Sequence, residues 1–317
     1  HARTISYAMG ANAVIAVAKL AAGIVSHSSA LLAESAHSVA DTVNQVFLRI
    51  SLSLGSRPAD ERHPFGYGKE RFFWAFLAAV FIFVSGAVFS MVEGVYALLH
   101  GREEGGGPLV AYVVLAISFV AEGVSWARAV QQLRGEAAQA GRPMLRHIRL
   151  SRDPTVKTVL FEDSAALAGI VLAALGVALH QLTGERLWDA AASIAIGVLL
   201  ALVALRLGRD SKGLLLGVGA DPEERETIRA SIAAHGEIRD VTELLTMYLG
   251  PESLLVTARV DLRDDLDADD IEALADRIDR DLREAVPGVT EVFIDPTPAP
   301  ERARGAGGPG EPAGEQV

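Results

Sequence analysis

The sequence predicts a membrane protein of all-α architecture, a six-helix transmembrane bundle, followed by a small cytoplasmic α+β domain of order α-β-β-α-β, ferredoxin-like in layout. Three observations carry that expectation. Half of the 317 residues are hydrophobic, yet 22% are charged, which fits a membrane part joined to a charged soluble part. Six apolar runs are each long enough to cross a bilayer as a helix. After Lys212 the long runs give way to short amphipathic periods. The expected division is therefore a membrane part over 1–212, a soluble domain over 213–296 and a disordered tail over 297–317, rich in Pro, Gly, Ala and Glu.

The six apolar runs cover 5–25, 31–54, 72–99, 109–130, 156–182 and 187–207. The loop after the second run holds Arg57, Arg62, Lys69 and Arg71, and the stretch after the fourth holds Arg128, Arg134, Arg142, Arg146, Arg149 and Arg152. The remaining turns hold few cations, chiefly Arg102 and Arg186. The positive-inside rule then sets both termini in the cytoplasm. The expected location is the cell membrane, the inner membrane if the source is bacterial. Trp74, Trp126 and Trp188 fall near run ends, where interfacial aromatics belong, and Asp189 reads as a helix cap.

In the soluble part, Asp221-Pro222-Glu223-Glu224 supplies an N-cap, a proline at the first helical position and an acidic first turn. That helix should reach about Ala234. A strand over 241–249 and a turn at Gly250-Pro251-Glu252-Ser253 follow. Leu254, Val256, Ala258 and Val260 alternate with polar residues, so the second strand has one buried face. An acidic amphipathic helix over 267–285 and a strand over 289–294 complete the domain. The chain has no cysteine and a net charge of −11. Thiolate sites and disulfides are thus excluded, and nucleic acid is an unsuitable partner.

The chemistry concentrates in the second run, where Glu34, His37 and Asp41 are spaced i, i+3, i+7 and share one helical face. Each ionisable group at mid-membrane costs about 2.5–3.5 kcal/mol on insertion scales. Two readings answer that cost: a polar cluster that joins helices, or a divalent-cation site, for which imidazole and carboxylate at one-turn spacing are suited. The fifth run carries Glu162 and Asp163, several residues inside it. Adjacent helical positions point about 100° apart, so the two cannot share one direction. Packed against the second helix, Asp163 would complete a site with His37 and Asp41; Glu162 is either a ligand or the lining of a wet vestibule. Glu122 either pairs with Arg128 or faces a cavity, and Glu93 reads as structural. No His-Glu-x-x-His or comparable catalytic motif is present, so the chain does not read as an enzyme.

Six spans, His37-x-x-x-Asp41 in the second, an acid at Asp163 in the fifth and an α-β-β-α-β tail together resemble the cation diffusion facilitators. So does the loop Asp60-Glu61-Arg62-His63-Pro64-Phe65-Gly66-Tyr67-Gly68-Lys69. The resemblance covers roughly 5–296 and is strongest to the branch with Glu-Asp in the fifth helix, which includes mitochondrial zinc-transporter-like members. It implies a homodimer in the lipid bilayer that exports a divalent metal from the cytosol in exchange for protons. Zinc is the first expectation. Manganese, iron, cobalt and cadmium are further candidate substrates, and a non-transporting metal sensor or scaffold on the same fold is the remaining alternative.

The departures from that pattern bear on the ligands. Many zinc transporters of the family carry a second His-x-x-x-Asp in the fifth helix; here Val159 stands at the His position. The implied site keeps His37, Asp41 and Asp163, with Glu162, Glu34, Asn44 or water as the fourth donor. So oxygen-rich a set weakens the preference for zinc over manganese, iron or cobalt. Some relatives bind a further metal in the loop through an Asp and two His, of which Asp60 and His63 match two while Tyr67 replaces the third. In the soluble domain Thr242, Ala258 and Asp295 occupy places where relatives have His, which argues against a regulatory zinc there.

Overall fold

The structure is a computed structural model and describes residues 2–100, 108–139, 141, 143–150 and 154–298. The expected disordered tail, apart from Thr297 and Pro298, lies outside the described residues, as do Arg142 and Arg152. The described secondary structure in the first part of the chain is all helix: α1 (Ala2–Ser26), α2 (Ser29–Gly55), α3 (Glu70–His100), α4 (Pro108–Gln139), α5 (Met144–Leu150), α6 (Pro154–Thr183) and α7 (Leu187–Leu216). Among the described residues, α3, α4, α6 and α7 are long and apolar enough to cross a membrane, and α1 contributes the shorter apolar stretch Ala13–Ser26. Helix α2 falls short of that measure because its run of Ser, Glu, His, Asp and Asn lowers its hydropathy.

Two helices outrun their apolar segments. Helix α4 continues past 130 because Val130, Leu133 and Ala137 keep one side buried, and α7 continues past 207 through buried Ser211 and Leu214. The compact unit that α7 closes ends at Leu216, and a second begins at Gly217, whose φ of 109° only glycine adopts readily. The short helix α5, inside the basic stretch, has no counterpart in the apolar pattern.

Helix α2 is the hub of the first unit, packed against α1, α3, α6 and α7. It is turned inside out. Its inward side carries Glu34, Ser35, His37, Ser38, Asp41 and Asn44, all buried, while Val39, Val46 and Leu52 face outward. That inversion is what a bilayer asks of a helix with a polar stripe. Ser28 caps it, accepting from the Leu31 amide at 3.2 Å. Asp189, in the first turn of α7, caps the same end rather than its own helix. It accepts from the Ser28 hydroxyl and the Ser29 amide, each at 2.6 Å. Ser29 in turn donates to Glu93 of α3 at 3.3 Å, so Glu93 helps to hold this end.

Helices α3 and α7 meet through small residues, the usual device where no hydrophobic driving force separates helix from lipid. A methyl group added at Gly197 would stand 2.6 Å from Met91 Cγ and 2.9 Å from the Ala87 carbonyl; at Gly94 it would stand 2.8 Å from the Ala190 carbonyl. Between them the Ser193 hydroxyl donates to the Ser90 carbonyl at 2.8 Å. Helix α3 loosens to a π-helical stretch over Ile82–Val88 at this contact.

The second unit comprises α8 (Pro222–Ala233), β1 (Ile238–Gly250), β2 (Ser253–Leu262), α9 (Ala268–Ala285) and β3 (Val289–Pro296). The order is the expected one, with β1 opening three residues earlier, at Ile238. Both helices begin with capping boxes, on Asp221 and Asp267. The sheet order is β1-β2-β3, antiparallel then parallel. Ile228 and Ile232 of α8 and Leu274, Ile278 and Leu282 of α9 are buried, as are Leu244, Val256 and Val260 of the sheet. On the other face Arg259 bridges Glu243 at 2.8 Å and Asp295 at 2.9 Å, and the Arg259 side chain holds the Asp295 carboxyl below the ordinary range. Asp295 is thereby engaged in an ion pair.

Gly197→Leu should force α3 and α7 apart, because the new side chain meets a backbone carbonyl that cannot step aside. The expected cost is about 1–3 kcal/mol, read as a lowered Tm of the purified protein in detergent, with Gly123→Leu, where nothing lies within 4 Å, as the neutral control.

Candidate metal site

The polar stripe of α2 is met from three sides. From α1 comes Lys19, fully buried, whose Nζ donates to Glu34 Oε2 at 3.0 Å and to Ser38 Oγ at 2.8 Å. From α6 comes Glu162, 6% exposed, which accepts a hydrogen bond from the Asn44 amide and adjoins Asp41. From α4 comes Glu122, 9% exposed, whose charge acts on Glu34, Asp41, Glu162 and Asp163. Glu122 forms no salt bridge with Arg128; it faces the cluster.

His37 and Asp41 lie one turn apart on α2, Nδ1 to Oδ1 at 3.5 Å, with His37 almost fully enclosed. Both ring nitrogens of His37, Asp41 Oδ1 and Glu162 Oε1 are buried without a hydrogen-bond partner in the protein. Buried polar atoms in proteins are seldom left so, and one imidazole nitrogen of His37 with one oxygen each of Asp41 and Glu162, on two facing helices, forms a donor set suited to a divalent cation.

Glu162 and Asp163 diverge, as their 100° separation requires. Glu162 points at α2. Asp163 is half-buried and accepts from the Ser125 hydroxyl of α4 at 2.9 Å. Among the described residues no three His, Asp or Glu side chains close around one point in this conformation. Glu34 is committed to Lys19 through Oε2, while its other oxygen presses against α6 at Gly169, where a methyl group would collide with it. Asn44 serves here as the donor that orients Glu162.

Lys19 escaped the sequence reading, although the signal was present: one cation inside an otherwise apolar run, whose burial demands an acid within reach. Ser38 and Ser125 were missed because a lone serine in a membrane helix carries no periodic signature.

The loop between α2 and α3 has its own order. Asp60 accepts from the amides of Arg62 at 3.0 Å and His63 at 2.7 Å, and from the Tyr67 hydroxyl at 2.6 Å. The His63 and Tyr67 rings pack with centroids 4.1 Å apart. Asp60 thus organises a turn, which the Tyr67 hydroxyl closes by bonding the carboxylate directly. That hydroxyl, together with the backbone amides, holds the Asp60 carboxyl below its ordinary range.

With this geometry in hand, residues 5–216 match the cation efflux transmembrane domain, and residues 220–299 match the cation efflux protein cytoplasmic domain. The chain belongs to the cation efflux family. Among similar proteins, Metal tolerance protein C4 of Arabidopsis thaliana is 33% identical over 259 residues, covering 82% of this chain and 56% of the plant protein. The Homo sapiens protein named proton-coupled zinc antiporter SLC30A9, mitochondrial, is 32% identical over 243 residues, covering 77% of this chain and 43% of its own length. The chain therefore spans about half the length of these two relatives. Manganese efflux system protein MneP of Bacillus subtilis is 24% identical over 298 residues, covering 92% of this chain and 94% of its own. This cation efflux protein is accordingly a transporter-family member, with a transmembrane unit and a small sheet-containing unit.

Two predictions follow from the buried charges and the loop. Lys19→Met leaves Glu34 enclosed without its cation and should cost about 3–5 kcal/mol, whereas the double variant Lys19→Met, Glu34→Met should recover most of the loss; thermal unfolding of both in detergent checks it. Tyr67→Phe should raise the Asp60 pKa toward its ordinary value. Because that pKa is depressed in the folded loop, its contribution to loop order is present above the ordinary carboxylate range and fades as pH falls through the lowered value. An NMR titration of the Asp60 carboxyl carbon in both proteins reads the shift.

Proposed function

We propose that this protein exports divalent metal cations from the cytosol by antiport with protons, with zinc as its first substrate, and that it works as a homodimer. The observation that carries the reading is the buried stripe of α2 facing the acids of α6, with both His37 nitrogens and one oxygen each of Asp41 and Glu162 unpartnered. His37, Asp41, Glu162 and Asp163 are the proposed ligands. Asp163 joins them by turning from Ser125 when α4 and α6 shift against α2. The proposed topology has six spans, α1, α2, α3, α4, α6 and α7, with both termini cytoplasmic, supported by the Lys/Arg bias of the loops.

Metal binding requires deprotonated ligands, so loading the site releases protons and reprotonation favours unloading. Imidazole suits this exchange because its reference pKa of about 6.5 lies near working pH. Lys19 supplies a fixed positive charge beside the site, which balances Glu34 whether or not a cation is bound. The printed name of the human relative, a proton-coupled zinc antiporter, supports the coupling and the metal.

One observation favours a manganese, iron or cobalt substrate instead: the donor set has a single imidazole, and Val159, one turn before Asp163 on α6, supplies no ligand. The Bacillus subtilis relative named for manganese efflux is in keeping with that.

Metal flux into proteoliposomes across a panel of zinc, manganese, iron, cobalt and cadmium, with and without an imposed proton gradient, tests the reading. Transport independent of the proton gradient removes the antiport; no transport of any metal removes the function. Glu162→Ala should reduce transport at least as severely as Asp163→Ala, by 10-fold or more, on the order of a lost ligand-shell contact. Val159→His should move the preference toward zinc, and an unchanged preference would place position 159 away from the ligands.

A further inference from the structure

Between α3 and α7, on the outer side of the bundle, lies an apolar cavity of about 270 Å³. Its floor is Ala79 and Gly208, and Phe76, Phe83 and Leu205 form its walls. Val80, Phe83 and Leu205 are open to the surroundings, at 41%, 36% and 47% exposure. The mouth differs in kind. Arg209 and Lys212, one helical turn apart, close the end nearest the C-terminus of α7. Neither is paired with an acid among the described residues, whereas neighbouring Arg206 is matched to Asp210 at 3.5 Å on the same helix.

Depth along the helix fits this division. Asp189 and Arg209 are twenty residues apart on α7, about 30 Å at 1.5 Å per residue, which is the thickness of a bilayer's hydrocarbon core. With Asp189 at one boundary, Arg209 stands at the headgroup level of the other and Lys212 just beyond it. Phe76, near the start of α3, lies at the same level, since α3 and α7 run antiparallel. An apolar slot open to acyl chains therefore ends, at phosphate depth, in two cations that no acid among the described residues pairs.

We infer that this groove is a binding site for one anionic phospholipid of the leaflet at the C-terminal end of α7. The phosphate is held between Arg209 and Lys212, and an acyl chain lies over Gly208 between Phe76, Phe83 and Leu205. Basic pockets between membrane helices recognise acidic headgroups in this way. Occupancy joins α3 to α7 near the C-terminal end of α7. The inference is independent of which metal is carried and uses none of the residues proposed to carry it.

The experiment uses the full chain in vesicles containing phosphatidylglycerol or phosphatidylcholine, each with a photoactivatable acyl chain, followed by mapping of the labelled peptides. Phosphatidylglycerol should label the segments holding Phe76, Phe83 and Leu205 in preference to phosphatidylcholine. Arg209→Gln and Lys212→Gln should each lower that labelling about five-fold, the factor for one basic residue near a headgroup. Gly208→Leu, which fills the slot from its floor without touching the charges, should lower labelling by both lipids. Excess inorganic phosphate should not compete. Equal labelling by the two lipids, insensitivity to both charge substitutions, or competition by free phosphate would each overturn the site. So would efficient disulfide cross-linking of two copies through Val80→Cys in the otherwise cysteine-free chain, since a second copy would then cover the groove.

Discussion

The Lys19–Glu34 ion pair is the interaction on which the membrane unit depends. Neither side chain is exposed at all, and an ionised group without a partner at that depth would cost several kcal/mol. The pair stitches α1 to α2 and, through Ser38, sets the rotation of α2 about its own axis. That rotation decides where His37, Asp41 and Asn44 point. With Lys19 engaged, the α2 stripe faces inward and Val39, Val46 and Leu52 are left outside. The inward aim of the α2 stripe thus rests on a contact made outside the proposed ligands.

Two kinds of packing hold the remaining helices around this axis. On the side of α4 and α6 the contacts are polar: Asn44 with Glu162, Ser125 with Asp163, and Trp126 with Ser164 at 3.0 Å. On the side of α3 and α7 they are tight contacts between small residues and backbone, at Gly94, Ser90 and Gly197. Close-packed backbones are costly to separate, while hydrogen-bonded side chains can exchange partners at similar energy. Relative motion of helices is therefore cheaper at α4 and α6 against α2 than at α3 against α7. The caps from Asp189 and Ser29–Glu93 fix the far end of α2 to α3 and α7, which leaves its polar stretch to face the more adaptable side.

The second unit follows different physics. Its ion pairs, Arg259 with Glu243 and Asp295, and Arg239 with Asp264 at 2.9 Å, are solvent-exposed and individually worth little. Its stability comes from the buried aliphatic residues between two helices and three strands, aided by the capping boxes. Charge here serves solubility and the orientation of the sheet's open face. In the membrane unit a single buried charge decides helix rotation.

The sequence by itself determined the two-part organisation, the helices and strands in their order apart from the short α5, and the stripe of Glu34, His37 and Asp41, because hydropathy and periodicity act locally along the chain. It could also mark Glu162, Asp163 and Glu122 as acids that lipid excludes. Only the tertiary structure decided which partner each acid meets. Glu162, not Asp163, lies against Asp41 and Asn44; Asp163 turns to Ser125; Glu34 belongs to Lys19; Glu122 faces the cluster and not Arg128. These outcomes turn on the rotation and depth of helices relative to one another. Such quantities are set by contacts between residues far apart in the chain, 118 positions for Asn44 and Glu162 and 161 for Ser28 and Asp189, and no local spacing encodes them. The extensions of α4 to Gln139 and α7 to Leu216 have the same origin, since buried neighbours sustained a helix where the apolar pattern had ended.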